Sequence, residues 1–302
     1  MDSKTLRPFF HLSRPLLLLD AVLAYALGLG IAHYLGAALD WGISALGLVW
    51  VLTLQLGWNY LHVYFILHNP LHLRRHTAPS EEHVLGEQDL PPELYLWTGI
   101  AALTVATSLT LMLIRIGGVG GAVYLSMGLL VAGAFVYTVP PFRLASSVYR
   151  ELILSVMLAN FIPALAFLLQ ESELHRLISM STFPLTLLHL AMLLTFQIPN
   201  FGTDLKYERP TLLVRLGWQR GMRLINILNL LGFLLLGIAM LIGFPGYIAM
   251  PAFFALPLGL FQIWYLTRIA AGAKPHWTML RWLAVSVFGL TTYLLTFSFW
   301  TR

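Results

Sequence analysis

The stretch "IPNFGTDLKYERPTLLVRLGWQRG", residues 198–221, decides the fold. It gathers Asn200, Asp204, Lys206 and Arg209 between two apolar runs, at about 178–199 and 221–243. Each run is long enough to cross a bilayer, which takes roughly 20 residues. A short basic connection between two such runs is a membrane-protein pattern, and the rest of the chain repeats it. Further runs lie at about 15–37, 42–68, 93–115, 119–139, 148–170, 246–268 and 281–300. Over 302 residues, 58% are hydrophobic and only 10% charged, which excludes a soluble enzyme or a disordered chain. The expectation is an all-α polytopic membrane protein with nine transmembrane helices.

Orientation follows from Lys and Arg, which accumulate in the short loops of the cytoplasmic side. With the N-terminus inside, the inner segments hold 15 of the 18 basic residues, and Arg115, Arg176 and Arg302 lie outside. This places the C-terminus on the opposite side. It also explains a pI of about 9.6 through topology and anionic lipid heads, so no nucleic acid partner is required. No cleavable leader is expected, because the first apolar run lacks a small-residue cleavage site. The absence of cysteine excludes disulfides, thiolate metal sites and a cysteine nucleophile.

The larger connections, about 69–92 and 200–220, both fall on the inner side, whereas "GGVGG" (117–121) and "GFPG" (243–246) are tight outer turns. A ligand is therefore expected to be handled from the cytoplasmic face. The alternation of basic and apolar residues in "YERPTLLVRLGWQRG" reads as a surface helix. No boundary interrupts the chain, and 1–302 is read as one membrane domain.

Before the first large loop stands "GWNYLHVYFILHNPLHLRRH", residues 57–76. His68, His72 and His76 are four apart and would share one face of an unbroken helix, where with His62 they could hold zinc or haem iron. Pro70 disfavours helix at Asn69 and removes a hydrogen bond, so the preferred reading is interfacial histidines. Asp20, inside the first run, is costly in a membrane; it either serves a function or pairs with a polar group on a neighbouring helix.

Four stretches together resemble the UbiA family of intramembrane prenyltransferases: "HLSRPLLLLDAVLAYALGLGIA" (11–32), "HVLGEQDLPPELYLW" (83–97), "YTVPPFRLASSVYRELILSVMLANFIPAL" (137–165) and residues 198–221. Their order and spacing match the family over about 10–300. The resemblance implies a nine-helix bundle with a lateral, lipid-facing cavity under a cytoplasmic cap. It also implies two aspartate-rich loops, NDxxDxxxD after the second helix and DxxxD after the sixth, holding the magnesium that ionises a prenyl diphosphate. Laid on this chain, the first motif falls on His62, Val63, Ile66 and Pro70, beside a matching Asn59. The second falls on Asn200 and Asp204, followed by Lys206 and Arg209; a shifted register would pair Asp204 with Glu208.

Imidazole is a poor magnesium ligand, and valine and isoleucine ligate nothing. The resemblance therefore implies a UbiA-like protein that has lost magnesium-dependent catalysis. It would keep a cavity for an isoprenoid, a quinone or another lipid-like ligand, or serve as a subunit of a membrane complex. The alternative is an active prenyltransferase, with magnesium, acting on an aromatic, quinone-precursor or tetrapyrrole acceptor. In that case Glu81, Glu82, Glu87 and Asp89 could fold over the site. The expected site residues are Asn59, His62, Tyr64, Arg143, Asn200, Asp204, Lys206 and Arg209, with Tyr60, Tyr137 and Phe201 near the cavity mouth.

Overall fold

In the computed structural model, residues 13–67, 91–116, 120–142 and 144–302 are described. Among them are nine helices long and apolar enough to cross a membrane. They are α1 (Pro15–Tyr34), α2 (Trp41–Phe65), α3 (Pro92–Ile116), α4 (Gly121–Thr138), α5 (Arg150–Leu168), α6 (Arg176–Lys206), α7 (Trp218–Leu241), α8 (Gly246–Ala270) and α9 (Trp277–Trp300). In lipid every backbone amide must be satisfied within the chain, so an apolar run of this length has the helix as its stable form. Of the nine, α5 and α6 are the most buried and α3 the least.

α1 packs between α5 and α9; α6 lies against α5, α7 and α9; α2 pairs with α3. Their shared faces build the main apolar core, while Leu190, Leu194, Ile225 and Leu266 belong to a second cluster joining α6, α7 and α8. α1 meets α5 with almost no space: a Cβ added at Gly28 would lie 2.2 Å from the Pro163 carbonyl oxygen. Gly28→Ala is therefore expected to destabilise the bundle by about 1–3 kcal/mol. Gly128, with nothing within 4 Å, is the control. Thermal unfolding in detergent measures the difference.

Prolines explain the local irregularities. Pro163 cannot donate to the carbonyl four residues back, and just before it α5 opens into a π-helical turn, Met157–Phe161. Pro199 lies in a 3₁₀ turn, Ile198–Asn200, through which α6 continues to Lys206 instead of ending. Here the structure corrects the expected loop at about 200–220. Residues 201–206 are helical, a short helix follows at Leu212–Leu216, and α7 begins at Trp218. Only the middle of "YERPTLLVRLGWQRG" thus forms the surface helix expected of it. The Thr211 hydroxyl caps that short helix, accepting from the Val214 amide at 3.2 Å.

Candidate functional site

At the end of the bundle where α1 begins, five helices deliver polar side chains to one place. Arg14, at the N-cap of α1 with a left-handed φ of 51°, places its charge near the buried Tyr137 hydroxyl of α4. The His62 ring of α2 lies 6.0 Å from the Tyr137 ring. One turn earlier on α2, Asn59 Nδ2 donates to the Ser13 carbonyl at 3.3 Å. The first turn of α5 adds Glu151, whose carboxylate accepts from Arg150 Nε at 2.6 Å and from the Gln197 amide of α6. Asn59, His62, Tyr137, Glu151 and Gln197 are buried.

The second acidic position lies on the continuation of α6. Asp204 is buried and pairs with Arg209 Nη1 at 3.5 Å, and Asn200 is half-buried one turn before it. α6 ends at Lys206, and Glu208 adopts φ 51° on the exposed surface. Asp204 and Glu208 therefore share no helical turn. Lys206 is exposed, its ammonium 5.5 Å from the Tyr207 ring.

Of the expected residues, Asn59 and His62 join the α1–α4–α5 cluster, and Asn200, Asp204 and Arg209 lie along the end of α6. Tyr64 packs instead against the Tyr60, Val63 and Tyr95 cluster between α2 and α3, with its ring on Phe65. Val63, a position where the family carries an acid, is thus in apolar packing. Arg143, His68, His72 and His76 lie outside the described residues, as do Glu81, Glu82, Glu87 and Asp89. Glu151 and Gln197 were missed by sequence reasoning. The available signal was an acid in the first turn of an otherwise apolar run, "RELIL".

A groove of ≈ 480 Å³ lies between α1, α6 and α9, lined by Leu16, Phe196, Thr278, Arg281, Trp282 and Val285. Its volume is within the range of small-ligand sites. The groove and the polar cluster are built on two shared helices, α1 and α6: Leu16 lies two residues after Arg14, and Phe196 one residue before Gln197.

Among the described residues, the carboxylates at this end do not form a cage for a pair of magnesium ions. Magnesium takes near-octahedral oxygen donors, with carboxylates among them. Glu151 and Asp204 are each held by an arginine, and the other donors are amides, a phenol and an imidazole. Among the described residues, no group of three or more His, Cys, Asp or Glu could hold a metal ion.

No protein-family model and no curated protein matches the chain. Solved structures do. A UbiA homologue from Archaeoglobus fulgidus bound to Cd²⁺ superposes with a TM-score of 0.63 at 15% identity, covering 95% of this chain and 99% of the other. The same homologue bound to GPP and Mg²⁺ gives 0.59 at 16% identity over the same shares. The apo UbiA homologue of Aeropyrum pernix K1 gives 0.61 at 13% identity over 94% of each chain. The chain has the all-helical UbiA fold and is an integral membrane protein.

Proposed function

We propose that this protein binds an isoprenoid, quinone or similar lipid-like ligand in a UbiA-like bundle, without magnesium-assisted ionisation of a diphosphate. The whole chain acts as one membrane domain, with the polar cluster facing the cytoplasm and the C-terminus on the other side. What supports this reading is that the same two helices, α1 and α6, build both the polar cluster, with its hydrogen-bond donors and the Arg14 cation, and a groove lined by Leu16, Phe196, Trp282 and Val285 with Thr278 and Arg281. An isoprenoid with an oxygen-rich head has that shape and polarity. A ligand-holding subunit of a larger membrane complex is the form of this function that needs no catalysis.

Arg14 would hold the head by a charge-assisted hydrogen bond. Asn59, His62 and Tyr137 would orient it, with Asn200, Lys206 and Arg209 supplying further polar and cationic groups at the same end. The competing reading, an active prenyltransferase, draws on the two buried carboxylates Glu151 and Asp204. The two separate in one assay: purified protein in lipid is incubated with labelled prenyl diphosphates, magnesium and aromatic acceptors. Retained but unconverted prenyl diphosphate is the expected result, and magnesium-dependent product at ordinary turnover refutes the proposal.

A further inference from the structure

Between α5 and α6, three side-chain pairs are stacked at successive depths. Glu151 accepts from Gln197, Ser155 Oγ meets His189 Nδ1 at 3.0 Å, and Asn160 Nδ2 donates to Thr182 Oγ1 at 3.0 Å. The steps along α5 are four residues and then five. In a regular helix five residues would swing Asn160 roughly 140° away from Ser155. The π-helical turn at Met157–Phe161 absorbs the extra residue and keeps the polar seam in line. Such insertions concentrate at functional sites.

At the middle rung the seam gains a third member. Asp20 of α1 reaches His189 from the far side, with Oδ2 3.7 Å from Nε2. Asp20 is 5% exposed, and Ser155 and His189 are both 0% exposed. The edge of the imidazole meets the Phe288 ring of α9 at 4.8 Å. His189 stands eight residues before Gln197, about 12 Å along the axis from the polar cluster. A diphosphate pocket does not need such a group at that depth.

We propose that Asp20, His189 and Ser155 form a proton-binding site inside the membrane. One proton is held by the Asp20–His189 pair, whose facing atoms stand 3.7 Å apart, buried and with no hydrogen-bond partner among the described residues, and Ser155 fixes the other ring nitrogen. The argument is electrostatic. With no proton the pair carries a net negative charge, and with two it carries a net positive one. Either charge is costly where side chains are sealed from water, whereas the one-proton state is neutral overall. On the helices packed against α6, the acidic, basic and phenolic groups are Asp20, Tyr25, His33 and Tyr34 on α1, Arg150 and Glu151 on α5, Arg215 on the short helix Leu212–Leu216, Arg220 and Arg223 on α7, and Arg281 and Tyr293 on α9, with Arg14 at the N-cap of α1. Of these, Asp20 is the ion-pairing partner of His189. Glu151, one turn from Ser155, is engaged by Arg150 and Gln197 and closes the seam at the polar cluster. The site thus places a buried acid and imidazole about two helical turns along α6 from the ligand-head end, and its existence depends on no ligand.

The test is solid-state ¹⁵N NMR of the full chain in lipid bilayers, labelled at histidine. The His189 signals are those that vanish in His189→Gln. Asp20→Asn is expected to shift the Nε2 signal, and Ser155→Ala to move Nδ1 alone. His189 signals that stay unchanged in Asp20→Asn overturn the proposal. Should Asp20→Asn fail to fold, infrared spectra of protein labelled with ¹³C-aspartate replace it: a carboxyl band that moves in His189→Gln supports the shared proton, and an unmoved spectrum refutes it.

Discussion

Replacing Arg14 by alanine is expected to weaken the binding of a prenyl diphosphate by about 10- to 100-fold. A hydrogen bond to a charged group contributes about 1.5–3 kcal/mol, and 1.4 kcal/mol corresponds to a factor of ten in affinity. Arg14 is suited to this role by position. Its left-handed φ of 51° starts α1 and places its charge near Tyr137, whose ring adjoins that of His62. Arg150 and Arg209 each already share a carboxylate, which offsets part of their charge toward a ligand. Arg150→Ala and Arg209→Ala should therefore have smaller effects than Arg14→Ala. Arg302, at the opposite end of the bundle beside Tyr247, should have none. Equilibrium binding of a fluorescent or radiolabelled prenyl diphosphate in nanodiscs checks the order. Equal losses at Arg14 and Arg302 would remove the polar cluster from the account.

Glu151→Ala should cost the bundle about 2–3 kcal/mol. Removing one member of a buried ion pair leaves its partner uncompensated, which costs about 3–5 kcal/mol when both are buried. Arg150 is 34% exposed, and water recovers part of that loss. The Gln197 amide also loses its acceptor in the buried interface of α5 and α6. Glu151→Gln keeps the shape and one acceptor oxygen, so it should fall between wild type and Glu151→Ala. Glu173, exposed in the turn between the same two helices, is the control. Thermal unfolding in a fixed detergent separates them, and an unfolding temperature unchanged by Glu151→Ala would mean that the pair contributes nothing to stability.

The spans were legible because the bilayer imposes a length and excludes charge, so each helix announces itself within a single stretch of chain. Boundaries set by backbone geometry were not. Residues 201–206 carry the charges of a loop, yet α6 runs through them because Pro199 is accommodated in a 3₁₀ turn. Asn59 and His62 could be named from the resemblance, since one helix end delivers both. Tyr64 could not be separated from them, because two residues' difference in helical phase turns it toward α3. The pairs Glu151–Gln197 and Ser155–His189 depend on the register between two antiparallel helices, and the π-helical turn resets that register between Ser155 and Asn160. No periodicity within either helix encodes it. Asp20 was legible as an anomaly, and its partner His189 emerged only when α1 and α6 were brought together.

The central claim is that arginines and neutral donors have taken the place of a magnesium-holding carboxylate cage at the head of the ligand site. Electron paramagnetic resonance of Mn²⁺, titrated into the full-length protein in nanodiscs with a saturating prenyl diphosphate, tests it most directly. The account predicts that manganese stays in solution or on the free diphosphate, with no stoichiometric protein-bound signal and no change in ligand affinity when a chelator is added. Two bound and mutually coupled manganese ions per chain, lost together with the ligand on chelation, would contradict it.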